Sequence, residues 1–135
     1  MTYSQLWRRL LPLYDEREAK AVVRTLLEER FNLTLTDLYT DGLDRLTDDE
    51  KTRMETLIER LEAGEPVQYV VGKARFCGRD YMVAPGVLIP RPETEMLCKE
   101  VISAYNRPYC ALQPPEPLRV LDIGTGSGCI AVTLA

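Results

Sequence analysis

The residues Gly124-Thr125-Gly126-Ser127-Gly128 are the strongest candidate for ligand chemistry in this 135-residue sequence. Glycine at such spacing lets the backbone adopt positive φ and come close to a ligand. The run Leu118-Arg119-Val120-Leu121-Asp122-Ile123 before them reads as a short strand, and the apolar run 129–135 after them is compatible with a helix. Strand, glycine-rich turn and helix start together resemble the opening of a nucleotide-type α/β fold, in which the first helical amides face the ligand. A dinucleotide fingerprint needs glycine or alanine at its sixth position, where this sequence has Cys129, so an oxidoreductase opening is disfavoured. Asp122 stands two residues before the first glycine, giving Asp-x-Gly-x-Gly-x-Gly. An acid there attracts a cationic ligand rather than a pyrophosphate, and the methionyl ammonium and sulfonium of S-adenosylmethionine meet that requirement. A tight strand–helix turn that binds nothing is the competing reading.

The second candidate is Arg91, set between Pro90 and Pro92 in the segment Val87-Leu88-Ile89-Pro90-Arg91-Pro92-Glu93-Thr94-Glu95. Each proline restricts the residue before it, so the arginine sits on a stiff, extended path. It either shapes a pocket floor beside the glycine loop or pairs with Glu93 or Glu95 at the surface, where a pair contributes little. Glu93 and Glu95 themselves suit the positive end of a helix. The sequence contains no histidine, which removes Ser-His-Asp and Cys-His catalysis and His-containing zinc motifs. Cys77, Cys98, Cys110 and Cys129 form no CxxC pair and read as reduced thiols packed like small hydrophobes, so no metal site is expected.

The elements that must position these residues fall into two kinds. The first part is helical. Thr2 with Gln5, Asp15 with Glu18, and Thr47 with Glu50 are helix-start signals. They introduce apolar stripes at Leu6, Trp7, Leu10 and Leu11, at Ala19, Val22, Val23, Leu26 and Leu27, and at Met54, Leu57, Ile58 and Leu61. Asn32 and Gly64 fit left-handed stops, Pro12 ends the first helix, and 34–39 predicts a short helix closed by Asp41-Gly42. These make a small bundle over 1–64 with an apolar core. A hairpin linker is predicted over 65–90, with strands at 74–77 and 80–83 joined by Gly78-Arg79 as a type II′ turn. A helix from Pro92 to about Tyr105 follows, then a linker over 106–117 containing four prolines.

Composition narrows the classes further. With 17 basic and 21 acidic residues the net charge is −4, a poor match for a phosphate backbone, so direct nucleic-acid binding is not expected. Apolar residues make up 45% and charged residues 28%, which is too apolar for disorder. No apolar run approaches the ~20 residues of a membrane span and no leader pattern opens the chain, so a cytoplasmic location is expected.

Taken together, Gly64-Glu65-Pro66-Val67-Gln68-Tyr69, the proline–arginine–proline segment 85–95 and the strand and glycine loop 120–128 resemble the release-factor glutamine methyltransferases of PrmC/HemK type. The resemblance implies a helical, substrate-recognising domain, a hairpin linker and, over 91–135, the start of a Rossmann-like methyltransferase domain. It implies S-adenosylmethionine as cofactor, bound at Asp122, Gly124, Thr125, Gly126, Ser127 and Gly128, and peptide chain release factors as protein substrates. The reaction implied is methyl transfer to the side-chain amide nitrogen of the glutamine in a Gly-Gly-Gln loop, by a monomeric enzyme. Members also carry an Asn-Pro-Pro-Tyr motif that positions the acceptor amide and an acid for the cofactor ribose, both further downstream. Here Pro114-Pro115 follows Gln113 and precedes the glycine loop, so no catalytic role is carried onto it.

The segment alone is therefore expected to be the inactive N-terminal part of such an enzyme. The alternative is a stand-alone interaction module that binds a release factor or another protein. A physical expectation accompanies either reading. Val120, Leu121 and Ile123 suit the middle of a parallel sheet, and without sheet neighbours the strand should not hold. Order after about Asn106 would then require another copy or packing onto the bundle.

Overall fold

The computed structural model describes residues 1–105 and 119–135. The predicted linker and Cys110 lie outside the described residues. The chain forms two compact units, Met1–Val71 and Gly72–Ala135.

The first unit is all helical: α1 (Tyr3–Arg9), α2 (Glu16–Phe31), α3 (Leu35–Tyr39), α4 (Asp48–Glu62) and α5 (Val67–Val71). The starts of α1, α2 and α4 are those the sequence announces. Thr2 and Thr47 form reciprocal capping boxes with Gln5 and Glu50, Thr34 does so with Asp37, and the Asp15 carboxylate accepts the Glu18 N–H. Each cap satisfies backbone donors that have no partner within the helix. Asn32 ends α2 at φ 55°, ψ 31°, and Gly64 follows α4 at φ 83°. The α2 and α4 stripes are buried throughout, and α2 packs against α1, α3 and α5. Arg9 joins α1 to α4 through a two-pronged contact with Glu62 at 2.8 and 2.7 Å and a third bond to Glu55 at 2.5 Å.

Two details depart from the expectation. Leu11 is 44% exposed, because α1 stops at Arg9 and the turn at Leu10 breaks the helical phase before Pro12. In addition, 67–71 forms α5, with Val70 and Val71 in the helical core, so the first unit runs past Gly64. The β-branched residues there argue against a helix by propensity, and tertiary burial overrides it.

The second unit contains an antiparallel hairpin, β1 (Lys73–Phe76) and β2 (Arg79–Met82), with α6 (Pro92–Tyr105) and α7 (Cys129–Leu134). Phe76 pairs with Arg79, so the turn residues are Cys77 and Gly78. Both have positive φ, 46° and 77°, which makes a type I′ turn one residue earlier than the predicted type II′ turn. Alternation along the hairpin buries Ala74, Phe76, Tyr81 and Val83. Phe76 and Tyr81 meet edge-to-face, with ring centroids 6.0 Å apart, in a core completed by Cys98 of α6 and Cys129 of α7.

Of the strand predicted over 118–123, the described residues 119–123 form none. Among the described residues the sheet has two strands, both in the hairpin. Leu121 and Ile123 are 83% and 85% exposed, as expected for residues patterned for a sheet interior but given no strand to pair with. The order seen at α7 comes from packing onto the hairpin and α6 within the same unit.

Candidate functional site

The glycine loop owes its shape to backbone torsion. Gly124, Gly126 and Gly128 have φ of 75°, 55° and 79°. A Cβ added at Gly124 or Gly126 would meet no atom within 4 Å, so the left-handed torsion, rather than crowding within the chain, calls for glycine there. The turn closes through a bond from Gly128 N–H to the Thr125 carbonyl at 2.8 Å. The first helical bond follows, from Val132 N–H to the Gly128 carbonyl at 2.9 Å. Within this segment the Asp122 Oδ2 and Ser127 Oγ atoms are buried without a hydrogen-bond partner among the described residues. Such orphaned polar atoms are costly unless something else satisfies them.

A cavity of about 130 Å³ brings the two predicted motifs together. Leu88, Pro90, Arg91 and Thr94 form one wall, and Gly124, Thr125, Gly126, Ser127 and Ile130 form the other. Arg91 is exposed and pairs with neither Glu93 nor Glu95, nor with any other acid among the described residues. Glu95 is engaged elsewhere: its Oε1 accepts the Cys77 N–H at 2.7 Å and its Oε2 lies 3.6 Å from Lys99. Asp122 does not line this cavity. Small-molecule sites usually enclose ~300–1,000 Å³, so this cavity is smaller than a complete site of that kind.

Beneath the loop, Cys98 is fully buried and Cys129 nearly so, with Cys77 packed against them. Burial pushes the Cys98 thiol above its ordinary pKa, and the neighbouring Cys77, Cys129, Asp122 and Glu95 add to the shift. Its thiol is thereby kept protonated and poorly nucleophilic. Among the described residues no group of three or more Cys, Asp or Glu side chains is arranged to hold a metal ion.

Sequence reasoning did not find the contacts that hold the loop from behind. The Tyr81 hydroxyl donates to the Cys129 carbonyl at 3.4 Å and lies 3.2 Å from Thr133 Oγ1. The alternation of the hairpin points Tyr81 inward, but its partner is 48 residues away and no local pattern announces it. A larger groove, about 710 Å³, runs along the first unit. Lys20, Arg24 and Glu28 of α2 line it, together with Tyr3, Leu35 and Tyr39. Lys20 and Arg24 are paired there with Glu16 and Glu28, at 2.5 and 2.6 Å. Among the described residues, no helix is long and apolar enough to cross a membrane.

The first unit corresponds closely to a known family. Residues 5–72 match the family model described as the PrmC N-terminal domain. The chain is 39% identical over 125 residues to the release factor glutamine methyltransferase of Bacteroides thetaiotaomicron, covering 93% of this chain and 42% of that protein. It is 47% identical over 122 residues to the protein of the same name from Koribacter versatilis, covering 90% and 41%. With the Escherichia coli protein of that name it shares 36% identity over 110 residues, covering 82% and 37%. The chain thus spans about two fifths of the length of the curated relatives it matches. The family model takes in the helical unit and the relatives cover most of the chain, so the chain belongs to the release factor glutamine methyltransferase family and carries its PrmC N-terminal domain.

Proposed function

We propose that this chain is the N-terminal part of an S-adenosylmethionine-dependent enzyme that methylates the glutamine amide in the Gly-Gly-Gln loop of peptide chain release factors. The observation that carries the reading is the cavity that places the proline–arginine–proline segment opposite the glycine loop. Two motifs some thirty residues apart in sequence converge on one space, and the orphaned Asp122 and Ser127 oxygens lie in the segment that carries the loop. In this reading Asp122 attracts the methionyl ammonium, 124–128 provide a backbone free of obstructing side chains, and Arg91 shapes the facing wall. The hairpin and 91–135 belong to a Rossmann-like catalytic domain, and the helical unit recognises the release factor from a cytoplasmic pool.

Bound S-adenosylmethionine supplies an electrophilic methyl group on a sulfonium. A carboxamide nitrogen is a weak nucleophile because its lone pair is delocalised into the carbonyl. The site must therefore hold the NH2 in line with the methyl–sulfur bond, shielded from water, while the nitrogen gains the methyl and loses one proton. Nothing in 1–135 resembles the Asn-Pro-Pro-Tyr motif expected to hold that amide.

The test is transfer of labelled methyl from S-adenosylmethionine to a release factor. Residues 1–135 alone should transfer none. A longer product of the same gene carrying Asn-Pro-Pro-Tyr after Ala135 should label the factor, and should not label a variant whose Gly-Gly-Gln glutamine is alanine. Label transferred by residues 1–135 alone would refute this division of labour. A reading frame that stops after Ala135 would favour a non-catalytic module that binds a release factor.

A further inference from the structure

Cys98 of α6 packs on Cys129 of α7, but among the described residues no hydrogen bond joins the two walls of the small cavity, and each is hydrogen-bonded instead to the hairpin. On one side, the Cys77 N–H at the hairpin turn donates to Glu95 Oε1 at 2.7 Å. Glu95 is in the first turn of α6, next to Thr94, which lines the cavity, and four residues after Arg91, which lines it too. On the other side, the Tyr81 hydroxyl of β2 holds the Cys129 carbonyl and Thr133 Oγ1 of α7. Cys129 directly follows the glycine loop and also lines the cavity. The tyrosine ring is fixed by its edge-to-face contact with Phe76, so the hydroxyl has little freedom to follow a wandering helix.

We propose that the hairpin is a clamp that sets the separation of the two cavity walls, with Tyr81 and Glu95 as positioning residues for the glycine loop and the Arg91 segment. This rests on the reading of the cavity as part of the S-adenosylmethionine site. Neither residue lines the cavity. Both act through groups that do. The left-handed torsion of Cys77, at φ 46°, belongs to the same device, since it forms the tight turn whose N–H meets Glu95.

The experiment compares Tyr81→Phe, Glu95→Ala and Glu95→Gln with the unaltered chain. Phenylalanine keeps the ring packing and removes only the hydroxyl. Glutamine keeps an oxygen acceptor for the Cys77 N–H, and alanine does not. Amide hydrogen exchange is read at Gly128 and Val132, whose bonds close the loop and start α7, and at α2 as an internal reference. The clamp predicts that Tyr81→Phe speeds exchange at Gly128 and Val132 by about fivefold, the effect of one lost hydrogen bond, with α2 unchanged. Glu95→Ala should do the same at Thr94 and Glu95, and Glu95→Gln should restore slow exchange there. Exchange unchanged in all three variants overturns the clamp. So does acceleration spread evenly over the whole second unit, which would mean general loss of core stability.

Calorimetry with S-adenosylmethionine, on a gene product in which the unaltered protein binds it, then separates the two ideas. Weaker binding in Tyr81→Phe with kcat unchanged at saturating cofactor supports the clamp. Equal binding in variant and parent overturns it. Failure of every unaltered gene product to bind the cofactor overturns the proposed function instead, while exchange still decides whether the hairpin holds the loop.

Discussion

In the proposed cofactor site, the torsion of Gly126 is the feature most open to test. Its φ of 55° is open to glycine and tolerable for asparagine, but a β-branched residue there is strained, by an amount on the order of 1–2 kcal/mol or more. Space inside the chain is not the obstacle, since no atom lies within 4 Å of a Cβ at this position. Gly126→Val should therefore distort the loop and weaken S-adenosylmethionine binding by roughly 5–30-fold or beyond, with helical circular dichroism unchanged. Gly126→Asn should lose much less. Equal calorimetric affinities for valine and glycine would remove this torsion from the site. Arg9 provides a second test at this scale. Hydrogen bonding from its guanidinium holds the Glu62 carboxyl below its ordinary pKa. A carboxylate whose folded-state pKa is lowered stabilises the fold above its unfolded value, near 4.3, and that stabilisation is lost as pH falls through the folded-state value. Arg9→Met should cost about 1 kcal/mol at neutral pH, since the ion pairs are partly exposed. It should also flatten the decline in thermal midpoint below about pH 4.3, and a parallel decline in both proteins would contradict the assignment.

Among the elements, the hairpin turn gives the sharpest test. A type I′ turn needs positive φ at both central positions, where Asn-Gly is the preferred pair and Cys77-Gly78 is observed. Cys77→Asn should relieve torsional cost and leave the midpoint unchanged or slightly raised, whereas Gly78→Ala should lower stability by about 1 kcal/mol. Under the type II′ turn read from the sequence, with Gly78-Arg79 at the centre, Cys77 would be an extended strand residue where asparagine is disfavoured and the substitution would lower the midpoint, so the Cys77→Asn melt distinguishes the registers. The one-residue error arose because Gly78 satisfies either turn, and local pattern alone does not reveal whether glycine is first or second. Other elements were legible for local reasons, with Leu11, past the end of α1, the exception. The capping residues of α1, α2 and α4 act within three residues of themselves, and their stripes repeat at helical period. What escaped was non-local. Helix α5 is made by burial of Val70 and Val71, residues 119–123 have no strand partner among the described residues, and the Tyr81–Cys129 bond spans 48 residues. The site was legible in the same uneven way: the glycine loop and Arg91 were named from pattern, and only the fold shows them lining one cavity.

At the scale of the whole chain, the two units differ in how much holds them. The first has a continuous core drawn from all five helices, together with the capped helix ends and the Arg9 contacts between α1 and α4. Domains of this size can fold alone when such a core is present. The second has a core centred on Phe76, Tyr81, Cys98 and Cys129, and a six-residue α7 far below the length at which isolated helices become stable in water. Regions with few buried apolar contacts open locally at lower free energy than the core of the molecule. A chain ending at Val71 should accordingly keep its helical circular dichroism and melt cooperatively. In the 135-residue chain, amide exchange should be slowest in α2 and α4 and faster in α7, where Cys129 and the Tyr81 hydroxyl supply the anchorage. It should be nearly unprotected at Val120, Leu121 and Ile123, which are exposed and have no strand partner among the described residues. Protection at 120–123 approaching that of α2 in a demonstrated monomer would contradict this order of stability. It would mean that the segment finds sheet partners the described fold does not contain.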